Sequence, residues 1–296
     1  MKKLTELGSC LLLLLVFSVL LGSVRVSHAA GTTCVMWIFD LSGSMSNDLQ
    51  QCKNTAKQTI DILAPLGVKF GLITHVDYPH YYDYCGYANT YGTSGDYAYM
   101  LHHPCGTDPG VVKNTIDGLA TKSGADRPED YARQMYELVN DPNINWVGAK
   151  EAVHFGDSEA HWCNMPGGST GCDPGRNEAC GDGDDVDLLE AVIDMGLHVI
   201  DYTFINPEKT SSDIEVHAFW KDFAAGHFRM CALSLEEVTP GQLAQHIIRL
   251  AVGGLWVPID KFGLLAPYIA LTSTIVVATA ATAIYARRVK RRRQKR

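Results

Sequence analysis

The chain has 296 residues, 46% of them hydrophobic, and a formal net charge of −8. Between 31 and 261 the balance is far more acidic, 14 Lys and Arg against 32 Asp and Glu, a net of −18. So acidic a stretch argues against nucleic acid or anionic lipid as partners and favours cations.

Residues 1–30 join a basic start (Lys2, Lys3), an apolar run over 11–21 and a small-residue exit, Ser27-His28-Ala29-Ala30. This reads as a secretory signal cut near Ala29 or Ala30; an uncleaved anchor is the alternative. Cys10 lies inside the apolar run, too early for a lipid-attachment cysteine.

The next stretch, 35–39, is apolar and reads as a fully buried strand. It stops at Asp40-Leu41-Ser42-Gly43-Ser44-Met45-Ser46. A carboxylate and two hydroxyls alternate there, and Gly43 lets the chain turn tightly. Ser46 or Asn47 is placed to cap a helix running to about Ala64. Strand, polar turn and helix set small oxygen donors at the carboxyl end of a strand, where open α/β sheets keep their ligands. One carboxylate with two hydroxyls suits a hard divalent cation such as Mg2+, which keeps several of its waters. The competing reading of Asp40, Ser42 and Ser44 is a serine-rich helix cap.

Residues 68–75 read as a second buried strand, ending at Val76-Asp77-Tyr78-Pro79. An insertion, 80–108, carries seven tyrosines between its start and Cys105. Asp108-Pro109 opens a helix over 109–121, with Val112, Ile116 and Leu119 as its apolar face. A turn, Ser123 to Asp130, precedes a helix to about Asn140, with Pro128 suited to its first turn. Residues 149–155 read as a strand ending at Gly156-Asp157. A second insertion, 158–185, is rich in Gly, Cys and Asp. A helix over 186–195 is stopped by Gly196. A strand over 197–205, a helix over 213–224, a short strand over 227–232 and a final helix from about Thr239 complete the alternation. Strands alternating with helices imply one α/β domain, a doubly wound, mostly parallel sheet with helices on both faces. It is expected to span 31–252, with 253–261 as linker.

Residues 262–286 form an uncharged stretch of 25, long enough to span ~30 Å of hydrocarbon as a C-terminal transmembrane helix. The tail 287–296 is eight-tenths basic, which places it in the cytoplasm. The chain is therefore expected to sit in the cell membrane as a single-pass protein with its domain outside. The cysteines agree: besides Cys10 there are eight, at 34, 52, 85, 105, 163, 172, 180 and 231. An even number outside the membrane suggests disulfides, and local closure of Cys85 to Cys105 is expected.

Four ordered segments also resemble a known family. Asp40-Leu41-Ser42-Gly43-Ser44 resembles the metal-ion-dependent adhesion motif (MIDAS) of von Willebrand factor type A (vWA) domains. Residues 71–79 (Gly-Leu-Ile-Thr-His-Val-Asp-Tyr-Pro) resemble the second-strand signature of the hemicentin-like and kinase-linked branch. Residues 123–130 (Ser-Gly-Ala-Asp-Arg-Pro-Glu-Asp) are similar to that branch's Gly-Gly-Asp-x-Pro-Glu turn, and 154–161 (His-Phe-Gly-Asp-Ser-Glu-Ala-His) to its Thr-Asp-Ala-x-x-His segment. The resemblance covers about 34–250 and implies a vWA/Rossmann-like fold.

By position, the resemblance implies that Asp40, Ser42 and Ser44 hold Mg2+ (or Mn2+ or Ca2+) from the first loop and Asp157, through water, from the third. Many relatives add a second-loop threonine; here Asp126 stands there. A carboxylate in that place tightens the cation but weakens its pull on a partner's carboxylate. Asp126 serves equally as a cap for the following helix. The resemblance further implies a protein ligand met through the metal face, with adhesion as the outcome.

Both insertions should lie on that face, where loops carry function. The Tyr-rich one offers rigid contact area to a partner; packing of the same rings against the sheet is the other reading. His75, His154, His161 and Cys163 fit no common zinc spacing. Residues 180–187 are acidic enough for Ca2+ but lack the EF-hand order of ligands, so a solvated turn is preferred. An enzyme is not expected. A phosphotransfer hydrolase headed by Asp40 needs a second carboxylate two residues on, where Ser42 stands. No nucleophile elbow, His-Glu-x-x-His or phosphate-binding Gly-Lys-Ser/Thr is present. A structural surface component that needs no cation is the remaining alternative.

Overall fold

The computed structural model describes residues 32–79, 91–124, 127–162, 164, 171–176 and 184–251. The chain divides into two units, 1–254 and 255–296. The second unit, which takes in the expected membrane span and tail, lies outside the described residues, as does the expected signal 1–30. Among the described residues no helix is long and apolar enough to cross a membrane.

Six strands form one sheet: β1 (Thr33–Asp40), β2 (Lys69–His75), β3 (Met100–Thr107), β4 (Ala149–Phe155), β5 (Ile200–Asn206) and β6 (Met230–Ser234). Their order is β3-β2-β1-β4-β5-β6. All neighbours are parallel except β2 and β3. The helices are α1 (Leu49–Leu63), α2 (Pro109–Gly118), α3 (Tyr131–Asn140), α4 (Leu188–Leu197), α5 (Ser211–Ala225) and α6 (Pro240–Ala251).

β1 is buried at all eight positions, because helices cover both its faces. Val35, Trp37 and Phe39 point to a core shared with Ala56 and Ile60 of α1, Val112 and Ile116 of α2, and Leu243 and Ile247 of α6. Met36 and Ile38 point the other way, to Met135 and Leu138 of α3, Val192 and Met195 of α4, and Val216 and Trp220 of α5. The doubly wound α/β expectation thus matches the structure. Strand order reverses between β1 and β4, and the carboxyl ends of strands at such a reversal are where open α/β sheets keep their ligands.

Several local expectations are corrected. The first insertion is not all loop: its end forms the antiparallel edge strand β3, whose Pro104 is tolerated at an edge. That strand carries Cys105 to the start of β1, and the disulfide is Cys34–Cys105, with Cα atoms 6.1 Å apart, not Cys85–Cys105. Cys52 and Cys231 are free thiols, so the eight cysteines do not all pair. Neither Ser46 nor Asn47 caps α1: Gly43–Asn47 is a 3-10 turn, and α1 starts after Asp48, whose carboxylate pairs with Lys209. Pro128 lies ahead of α3, which begins at Tyr131, because Glu129 bridges to Ala160 first. Gly196 sits inside α4, which ends at Leu197.

Candidate metal centre

The site is built at the reversal point. β1 delivers Asp40 at its last residue, and β4 delivers Asp157 two residues past its end. Between Asp40 and the 3-10 turn the chain folds back on itself: Ser42 N donates to Asp40 Oδ1 at 2.7 Å. The Ser42 and Ser44 hydroxyls lie 3.0 Å apart, and Ser44 Oγ donates to Asp157 Oδ1 at 2.9 Å. Two carboxylates and two hydroxyls from separate loops therefore share one rim. Asp40, Ser42 and Asp157 are all buried, and Ser44 is the exposed member.

The loop after α2 closes the third side. Lys122 N donates to Leu41 O at 2.7 Å and Gly43 N to Ser123 O at 2.9 Å. A Cβ at Gly43 would meet Ser123 O at 2.7 Å, so glycine is required for this approach. Asp126 itself, expected as ligand or cap, lies outside the described residues. Next to it, the Arg127 guanidinium comes within 3.9 Å of Asp157 Oδ2 and 3.7 Å of Asp213 Oδ1.

Tyr131, the first residue of α3, was not singled out from sequence, yet it organises the site. Its buried hydroxyl donates to Asp40 Oδ2 at 2.6 Å and accepts from Asp157 N at 3.1 Å and Ser158 N at 3.2 Å. A Cβ at Gly156 would meet this hydroxyl at 2.5 Å, which explains the glycine between Phe155 and Asp157. The only signal in the sequence was its place directly after the Pro-Glu-Asp turn.

Burial, and then the charge of Asp40, push the Asp157 carboxyl up to about 7. Burial and the same Asp40 charge raise the Tyr131 phenol, which therefore stays a donor. Two buried carboxylates in such proximity need a positive counter-charge, and Arg127 is partly exposed and shared with Asp213. The donor set, hard oxygens of mixed charge that reach water through Ser44, fits a divalent cation. Asp40, Ser42, Ser44 and Asp157 would hold it, and it would supply an electrophilic position to an outside oxygen ligand.

Among the described residues the histidines form no metal-type cluster with cysteine. His75 Nδ1 donates to Asp130 Oδ1 at 2.6 Å, and His75 Nε2 lies 2.7 Å from His154 Nε2. His154 Nδ1 in turn reaches the Tyr202 hydroxyl. Burial lowers the His75 imidazole, but the charge and hydrogen bond of Asp130 outweigh it and leave it raised. Burial, then His75, lower His154 well below its usual value. His161 stacks on Tyr91 instead, with ring centroids 4.0 Å apart, and Cys163 lies outside the described residues.

The described tyrosines of the first insertion pack inward. Tyr91 OH donates to Cys172 O at 2.6 Å, Tyr97 OH meets Thr74 Oγ1 at 2.8 Å, and Tyr99 OH donates to Asp141 at 2.7 Å. Tyr81, Tyr82, Tyr84 and Tyr87 lie outside the described residues.

No protein-family model matches the chain, and no curated protein sequence matches it. Among solved structures, one similar chain is proximal thread matrix protein 1 from the mussel byssus, at 14% identity and a TM-score of 0.40 over 76% of this chain and 47% of that one. The same mussel protein, described with a zinc-occupied MIDAS motif, matches at 13% identity and 0.40, also over 76% and 47%. The pilus adhesin SpaC of Lactobacillus rhamnosus GG, in its open conformation, matches at 11% and 0.43 over 75% of this chain and 30% of its own. The chain thus spans less than half the length of each, and the chemistry of the site is carried by its own geometry.

Proposed function

We propose that the chain is a cell-surface, membrane-anchored binding module of the vWA type that holds Mg2+ at a MIDAS-like site and meets a protein ligand through it. The observation that carries this reading is the hydrogen bond from Ser44 Oγ to Asp157 Oδ1, which joins the first loop to the end of β4. With Ser42 Oγ and Asp40 beside it, this is a donor set made by two loops and not a local cap.

A cation held by Asp40, Ser42, Ser44 and Asp157 would supply one electrophilic position, to which an acidic side chain of the ligand would bind. Asp126, if it also binds the ion, makes that position less electrophilic. A binding role is favoured over catalysis because Ser42 stands where a phosphotransfer enzyme needs its general acid. The anchor reading rests on the apolar stretch 262–286 and the basic tail. A purely structural component without a cation is the reading this one displaces.

The test is a pull-down from cell-surface protein with the full-length chain in detergent. Capture of a ligand in Mg2+, its loss with EDTA, and its loss in Asp40→Ala are expected. Capture indifferent to both would leave the structural reading in place.

A further inference from the structure

α4 carries more apolar surface than the domain uses. Leu188, Ala191, Val192 and Met195 are buried and hold it in place. Leu189, Ile193 and Leu197 face outward at 38%, 51% and 73% exposure, and Leu197 is the most exposed large apolar side chain among the described residues. Their four-residue spacing sets them in one row, about 12 Å from first to last. Val199, 54% exposed, follows two residues past the helix end. A helix that is apolar on opposite sides is a helix covered on both, and so continuous an exposed stripe marks a contact site.

The charges beside this row define the cover. Glu190 and Asp194 are exposed and also four apart, so a row of carboxylates runs alongside the apolar one. α4 contains no Lys or Arg to offset them. Lys150 meets this segment past the helix end, donating to His198 O at 3.1 Å. Like charges four apart weaken a helix, and Asp194 in the last turn also opposes the helix dipole. Basic groups supplied from outside relieve both.

We propose that the outward face of α4 docks an amphipathic helix of a partner protein, one with an apolar row flanked by lysines or arginines. The two apolar rows pack together, and the basic residues pair with Glu190 and Asp194 at the edge of the contact. Charge complementarity of this kind sets the choice of partner.

The same charges speak against two other occupants. Helices that lie in a bilayer surface carry Lys and Arg beside their apolar face, whereas α4 carries acids. A second copy of α4 would bring Glu190 and Asp194 from each chain to the contact with no Lys or Arg to meet them, and like charges across an interface are costly. The surface is separate from the metal centre. Its row runs towards the residues before β5, which starts at Ile200, while Asp40 and Asp157 stand at the carboxyl ends of β1 and β4.

The probe is a synthetic helical peptide of leucine and lysine, with one apolar and one basic face and a photoreactive group on the apolar one. It is mixed with the full-length chain in mild non-ionic detergent and EDTA, so that no result depends on a cation at the metal centre. After irradiation, crosslinks are located by mass spectrometry. They are expected within residues 188–199, displaced by unlabelled peptide and absent with a scrambled peptide of the same composition. Ile193→Gln with Leu197→Gln leaves the charge unchanged and is expected to lower the labelling by ~10-fold or more, the scale set by uncovering apolar side chains. Circular dichroism checks the fold. Glu190→Gln with Asp194→Asn is the second pair, expected to weaken labelling at low salt and to remove its salt dependence. Crosslinks outside 188–199, equal labelling by the scrambled peptide, or unchanged labelling in both folded pairs would overturn the proposal. So would a dimer of the natural chain that the first pair dissociates, which makes a second copy the occupant. Protection of 188–199 from hydrogen exchange on transfer into phosphatidylcholine nanodiscs would make the bilayer the occupant and overturn it likewise.

Discussion

Tyr131 shows how much of the site rests on one hydroxyl. It satisfies Asp40 Oδ2 and two backbone N–H groups at the exit of β4. Tyr131→Phe keeps the ring packing against Phe204 and Trp220 but strands three buried polar groups. A stability loss of at least about 1–3 kcal/mol is expected in urea denaturation, since a single orphaned buried group carries that order of cost. Weaker Mg2+ binding should accompany it, because Asp40 and Asp157 lose their common tether. Asp157 sets a pH dependence. Its folded carboxyl titrates near 7, above the usual carboxylate value near 4, so between those values the folded state holds the extra proton. Stability of the metal-free protein should therefore fall as pH rises from about 4 to about 7, while Mg2+ affinity rises over the upper part of that window. Asp157→Asn should flatten the fall in melting temperature; an equal fall in both chains contradicts the assignment.

The elements were legible where their residues obey one periodicity. The continuous apolar run of β1 and the limits of β4 follow from burial on both faces, and the opening of α2 follows from its cap, Asp108, whose carboxylate accepts from Gly110 N and Val111 N. The edge strand β3 was hidden because Met100–Thr107 contains two histidines, a proline and a glycine and shows no alternation. Pro128 falls outside the first turn of α3, because Glu129 pairs with the 159–161 segment before the helix begins at Tyr131. At the start of α5 the local chemistry is clear: Thr210 and Asp213 form a reciprocal capping box. Thr210→Ala should cost about 1 kcal/mol by thermal or urea unfolding, the usual price of a lost cap. A change within error would mean that packing of Val216 and Trp220 alone holds the helix.

For the whole molecule, the sheet order follows from the alternation of strands and helices, and it brings Asp40 and Asp157, 117 positions apart in sequence, to one edge of the sheet. That is why Asp40, Ser42, Ser44 and Asp157 could be expected side by side from the sequence, while the place of Tyr131 and the cysteine pairing could not. Pairing depends on where β3 lies, and β3 left no pattern. The Cys34–Cys105 bridge closes a separation of 71 residues. Loop-closure entropy alone gives it about 4 kcal/mol of stabilisation. Cys34→Ser with Cys105→Ser should lower stability by that order in denaturant, and an unchanged midpoint would contradict it.

The central claim is that loops from the ends of β1 and β4 jointly hold a divalent cation. Isothermal titration of the folded full-length chain with Mg2+ tests it most directly, run beside Asp40→Ala and Asp157→Ala. The account requires saturable binding in the natural chain and a marked weakening in each variant. Three superimposable titrations, or no heat of binding in the natural chain, would contradict it.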